Sequence, residues 1–96
     1  MATAYWITCY RAVTDPDKLA AYAKIGAPVI EAGGGRFLAR GTAVIAFEAG
    51  QTERTVIIEF PSVEQAVAVY ESPGYRAALA ALDGGAVRDL RIVPGV

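Results

Sequence analysis

The stretch Glu31–Gly41, EAGGGRFLARG, sets three consecutive glycines between an apolar segment of helical period and a segment that reads as a strand. Phosphate-binding loops run strand, then glycines, then helix, because the amides and the positive dipole end of a helix N-terminus must face the anion. Here the order is reversed. Gly33–Gly35 follow a helix, where a residue of positive φ closes the last carbonyls, and neither GxGxxG nor GxxxxGK[ST] occurs in the chain. The glycines therefore turn the chain, and a nucleotide-binding reading falls away.

On the N-terminal side, Leu19, Tyr22, Ala23, Gly26, Val29 and Ile30 recur at helical spacing and form one apolar stripe. Asp15 is the expected N-cap, with Pro16 at the first helical position and Asp17 near the positive dipole end. Pro28 removes a backbone donor, which predicts a kink or break around Gly26 to Pro28. Before this helix, Ala4 to Arg11 are aromatic and β-branched and read as a strand. Tyr5, Ile7 and Cys9 fall on one of its faces and Trp6, Thr8 and Tyr10 on the other, so both faces need cover.

On the C-terminal side, Arg36 to Glu48 reads as one long strand bent at Gly41, where a lone glycine suggests a bulge. Ala49–Thr52 would be the hairpin loop before a strand from Arg54 to Phe60. In that strand Val56, Ile58 and Phe60 share one face, and Thr55, Ile57 and Glu59 the other. After Pro61, Ser62 and Gln65 form a capping box, with Val63, Ala66, Val67 and Tyr70 at helical spacing. Ser72-Pro73 starts a second piece carrying Tyr75, Ala78, Leu79 and Leu82. Asp83-Gly84-Gly85 ends it, and Val87 to Val93 forms the last strand.

The order β-α-β-β-α-β, with the second helix in two pieces, predicts a single α+β domain over residues 1–96. Its expected form is the ferredoxin-like arrangement, a four-stranded antiparallel sheet with the helices on one face. No element remains for the other face. That face is expected to hold Trp6 or Tyr5, Ile57 and Leu90 or their alternating neighbours, so a second copy packing sheet to sheet is the economical cover, giving a dimeric α+β barrel.

Composition agrees. A 96-residue chain that is 54% hydrophobic buries only about 60–65% of its unfolded surface, leaving apolar side chains for a partner. Nine Lys and Arg against ten Asp and Glu, with net charge −1, discourage nucleic acid or an anionic membrane as partners. An aromatic RNP-type motif for RNA is also missing. Cys9 is the only cysteine, which excludes an internal disulfide. It reads as a small apolar core residue. Apolar runs fall short of the ~20 residues of a membrane span, so a cytoplasmic protein is expected.

The chain has no histidine, which excludes imidazole metal sites and Ser-His-Asp or Cys-His nucleophile systems. No metal and no cofactor are expected. Glu59, a carboxylate on a central strand, must be paired, hydrogen-bonded or raised in pKa. It is a candidate general base, or else the structural partner of Arg40 or Arg88. Arg40 is a candidate for an anionic or carbonyl ligand group, while Arg36 reads as solvated. Tyr22, Tyr70 and Tyr75 lie on apolar helical stripes. Of these, Tyr75 is the preferred ligand-facing phenol, with Trp6 as a second aromatic wall.

With GGGRFLARG, TVIIEFPSVEQAVAVYESPGYRAAL and VRDLRIVPGV in view, nearly the whole chain resembles the bacterial domain-of-unknown-function family DUF1330. The matching positions are Arg40, Gly41, Glu59, Phe60, Pro61, Ser72 and Tyr75. The resemblance implies a dimeric ferredoxin-like α+β barrel and no defined activity. Family members often carry a histidine where this chain has Ala32 or Gly33, and a second glycine where it has Thr42. The expected function is binding of a small organic ligand in a cleft between sheet and helices or at the dimer seam, with or without cofactor-independent catalysis. The alternative is a structural or regulatory homodimerisation module.

Overall fold

A computed structural model describes residues 3–96. Its elements are β1 (Ala4–Val13), α1 (Pro16–Ala32), β2 (Arg36–Thr42), β3 (Arg54–Phe60), α2 (Val63–Tyr70), α3 (Pro73–Leu82) and β4 (Ala86–Pro94). The four strands form one antiparallel sheet in the order β2-β3-β1-β4. This is the ferredoxin-like topology, with three helices on one face. Trp6, Thr8 and Tyr10 of β1 and Val56, Ile58 and Phe60 of β3 are buried beneath those helices, where they meet Tyr22, Ile30, Ala66, Val69, Tyr75, Ala78 and Leu82.

The caps follow their side-chain chemistry. Asp15 accepts from the amides of Asp17 and Lys18, Ser62 from Gln65, and Ser72 from Tyr75, each satisfying first-turn donors that have no partner within the helix. The reciprocal half of the expected capping box does not form. Instead, the Gln65 side-chain amide donates to the Gly33 carbonyl at 2.5 Å, tying α2 to the glycine turn.

Each of the three glycines has its own reason. The Gly35 amide donates to Ile30 O at 2.9 Å and the Gly34 amide to Glu31 O at 3.1 Å, which with φ +98° at Gly34 makes a Schellman closure. A Cβ on Gly33 would run into Val69 Cγ2, and one on Gly35 would lie 2.5 Å from Ile30 Cγ2 and 2.8 Å from Phe60 Cζ. The run lets the chain reverse while pressed against the core.

Four expectations are corrected. First, α1 runs unbroken through Pro28. Pro28 and Lys24, whose carbonyl loses its donor, both lie on the exposed side of the helix, where water can supply the missing bond. Second, β2 ends at Thr42, because Ala43 N to Glu53 O at 3.0 Å is the last rung before a turn with φ 54° at Glu48.

Third, the bulge falls at Leu38, between the pairs Phe37↔Ile58 and Ala39↔Ile57, and Gly41 pairs regularly with Thr55. That extra residue changes the parity of the strand. Arg40 thereby stands beside Val56 on the helix-covered face rather than the open one. Fourth, Cys9 is exposed on the open face, whereas Leu90 packs against the core. The open face carries Tyr5, Ile7 and Ile57 at its centre.

Candidate functional site

Between α1 and the covered face of the sheet lies a cleft whose shape follows from two small residues. Ala23 and Ala27 on α1 leave room above Trp6, Tyr10, Phe37 and Val56. The cavity is about 30 Å³, room for one or two water molecules. Its polar lining is dominated by three guanidinium groups, those of Arg40, Arg54 and Arg88, and no carboxylate lines it among the described residues.

The arginines are held by aromatic faces. The Arg40 guanidinium carbon lies 4.4 Å from the Phe37 ring centroid, and that of Arg88 lies 4.8 Å from Tyr22. Arg54 and Arg88 each stand 5.8 Å from the same ring, Tyr10, within cation–π range. None of the three has a carboxylate within ion-pair distance among the described residues, whereas Arg11, Arg36 and Arg91 outside the cleft all do. Arg54 Nε is buried and has no hydrogen-bond partner.

Behind the cleft the Tyr22 and Tyr75 hydroxyls meet at 2.6 Å. Arg88 Nη1 donates to Tyr22 Oη at 3.1 Å and, with Nη2, to Tyr75 Oη at 3.4 Å. Burial pushes the Tyr75 phenol well above its ordinary pKa, and the adjacent Tyr22 adds to this against the opposing effect of Arg88. Burial works against the charge of Arg88, but the two phenol oxygens outweigh it and raise its pKa above the usual value. Arg88 is therefore a charged donor to both phenol oxygens.

Of the residues singled out in the sequence, Trp6 and Arg40 line the cleft directly. Trp6 is 1% exposed. It stacks on Phe60 at 5.8 Å, meets Tyr75 edge-on at 5.2 Å, and donates its indole N–H to Thr8 Oγ1 at 3.0 Å. Tyr75 stands one layer behind, supporting Trp6 and Arg88 rather than facing the cavity. Glu59 is elsewhere. It lies on the open face, paired with Arg36 Nη2 at 2.8 Å, so its partner is neither Arg40 nor Arg88, and Arg36 is not merely solvated.

Arg54 and Tyr10 were not singled out as ligand contacts, Tyr22 was set behind Tyr75 among the three candidate phenols, and Arg88 was considered only as a partner of Glu59. The available signal was strand parity. Arg54 stands two residues before Val56 and Arg88 two before Leu90, so each shares a face with core residues. An arginine in step with an apolar face needs an explanation, as a carboxylate there does.

Because the Arg36–Glu59 pair is largely exposed on the arginine side, it is expected to contribute only about 0.2–1 kcal/mol. Glu59→Gln should therefore shift the thermal midpoint by no more than a few degrees, roughly. A scanning-calorimetry fall well beyond that would show that the pair has a larger structural role.

Comparison with known proteins places these features in context. The sequence profile of DUF1330, a domain of unknown function, matches residues 3–96. No protein of curated function matches the chain. Among solved structures, a protein of unknown function from Rhodopseudomonas palustris superposes with TM-score 0.73 at 24% identity, covering 97% of this chain and 80% of that one. A dimeric ferredoxin-like protein of unknown function from Thermobifida fusca gives 0.63 at 20%, covering 97% and 89%. A cofactor-independent oxygenase from Streptomyces nogalater gives 0.56 at 13%, covering 95% and 88%. At these identities the likeness is one of fold.

Proposed function

This chain belongs to the DUF1330 family of domains of unknown function, and on that premise we propose that it is a homodimeric protein that binds a small organic ligand in the cleft of each protomer. The observation that carries this reading is the convergence of Arg40, Arg54 and Arg88 on a cavity walled by aromatic and aliphatic side chains. A concave apolar site with a few converging polar groups is the usual form of a small-molecule site.

Binding is favoured over turnover by what the cleft lacks. The chain has no histidine, and Glu59 stands on the other side of the sheet in an ion pair. The lining offers guanidinium and hydroxyl donors, which stabilise a developing or settled negative charge, and among the described residues no carboxylate or imidazole to act as a base. Cofactor-independent oxygen chemistry is what one structural neighbour performs; here it is an analogy of fold. Neither a metal nor an organic cofactor is part of the proposal.

Self-association is the second half of the reading, and the open sheet face supports it. Tyr5, Ile7 and Ile57 form its centre, and the loop over residues 43–53 exposes Val44, Ile45 and Phe47. Two such faces packed together would cover surface that one copy leaves in water. Ile57→Asp would place an uncompensated carboxylate in that interface, at a cost of about 3 kcal/mol or more. Light scattering at micromolar concentration is expected to show a monomer; a persistent dimer would move the interface elsewhere.

Native mass spectrometry of freshly purified protein tests both halves together. A dimer carrying a defined small-molecule mass is the expected spectrum, and a monomer without added mass contradicts the proposal. No helix among the described residues is long and apolar enough to cross a membrane, and the net charge of −1 disfavours a nucleic-acid partner.

A further inference from the structure

Resting on the reading of the cleft as a ligand site, we infer that its ligand is a small, flat organic carboxylate, gripped by Arg54 and Arg88 with a hydrogen bond donated by the Tyr22 hydroxyl. Four features of the cleft point to this class.

The first is charge. Three guanidinium groups without a carboxylate among them leave the cleft strongly positive, while Arg11, Arg36 and Arg91 outside it are paired with Asp89 or Glu59. Partly buried cations without partners are costly unless an anion joins them. The second is Arg54 Nε, a buried donor without an acceptor. Guanidinium groups match carboxylates through paired N–H donors, and Arg54 and Arg88 both line the cleft and both stand 5.8 Å from the Tyr10 ring, so a carboxylate beside that ring would draw on both.

The third is the phenol pair. Both oxygens accept from Arg88, and one O–H is used between them. The other O–H has no acceptor among the described side chains. Tyr22 lines the cavity and Tyr75 does not, so the pair is best satisfied with Tyr75 donating to Tyr22 and Tyr22 donating into the cleft. Arg40, Arg54, Arg88 and, in this arrangement, Tyr22 then all present donors to the cleft, and a carboxylate can accept from each of them. The fourth feature is the wall. Trp6, Phe37, Val56 and Ile58 suit an apolar body and leave an inorganic anion without matching contacts. The cavity of about 30 Å³ is too small for a ring as it stands, so binding requires the cleft to widen, and Arg40, exposed and lying over Phe37, is the lining arginine freest to move.

The test uses benzoate, its neutral isostere benzamide, and inorganic phosphate as probes on the full chain, followed by the Trp6 indole signal and the arginine side-chain signals in NMR titrations. Benzoate is expected to bind at the cleft at least about tenfold more tightly than benzamide. Arg54→Met should weaken benzoate by about tenfold or more while the ligand-free melting temperature holds or rises, since an unmatched buried donor is removed. Arg40→Gln, at the exposed mouth, gives a second variant with little demand on folding and should also weaken benzoate.

Equal binding of benzoate and benzamide at the cleft would overturn the carboxylate while leaving the ligand site standing. Phosphate binding as tightly as benzoate would overturn the organic body. Silence of the Trp6 and arginine signals to all three probes would overturn both this inference and the cleft reading beneath it. A fall in the melting temperature of Arg54→Met with benzoate affinity unchanged would make Arg54 a structural residue and overturn its part in the grip.

Discussion

Gly35→Ala is expected to destabilise this protein by about 1–3 kcal/mol, although alanine is the smallest side chain that can be added. The new Cβ would lie 2.5 Å from Ile30 Cγ2, 2.8 Å from Phe60 Cζ and 3.0 Å from the Ile30 carbonyl oxygen. The backbone oxygen belongs to the Schellman closure and accepts from the Gly35 amide itself, so it cannot move without opening the turn. Alanine also stiffens the unfolded chain, which stabilises by about 0.4–1 kcal/mol, too little to offset the clash.

The matched control is Gly41→Ala, where no atom lies within 4 Å of the added methyl. There the unfolded-state effect is unopposed, and stability should hold or rise slightly. Urea unfolding followed by circular dichroism should show opposite shifts for the two variants, and equal shifts would refute the account of the glycine turn.

Trp6→Ala is expected to cost about 3–5 kcal/mol, a large share of the roughly 5–15 kcal/mol by which a domain is usually stable. Trp6 is the common neighbour of Phe60, Tyr70 and Tyr75. Its loss opens a void between the sheet and α3 and leaves the Thr8 hydroxyl, 2% exposed, without its indole donor. Trp6→Phe retains an aromatic contact with Phe60 and should cost clearly less. The same urea midpoints measure this, and a near-neutral Trp6→Ala would mean that the cleft floor is not part of the core.

How far the sequence could be read depends on whether the cause was local. The caps at Asp15, Ser62 and Ser72 and the glycine reversal are set by neighbours a few residues away, and they were legible. So was strand parity in β3 and in β1 as far as Tyr10, before the register shift at Arg11, because a regular strand alternates. The bulge at Leu38 was not. Its effect is to aim Arg40 beneath α1, yet the position that looked permissive was Gly41, and an extra residue is accommodated by pairing across the sheet rather than by the identity of one residue.

Pro28 was misread for a related reason. Whether a freed carbonyl is costly depends on whether it faces water, which is decided only when the helix docks. Glu59 drew attention as a carboxylate on a central strand, but Arg36, on the neighbouring strand directly across from it, holds it on the open face. The cleft itself joins Arg40, Arg54 and Arg88 from three strands with Tyr22 from α1, and residues so far apart in the chain meet only through topology.

The most direct measurement of the central claim is a side-chain NMR screen of a fragment library divided into small organic acids and neutral molecules. The lone Trp6 indole N–H reports on the cleft floor, and the cysteine and valine signals of Cys9 and Val93 report on the open face. Acids are expected to move the signals of Trp6, Arg54 and Arg88 and to leave Cys9 and Val93 in place. A library in which no compound moves the cleft signals, or in which binding concentrates at Cys9 and Val93, would contradict it.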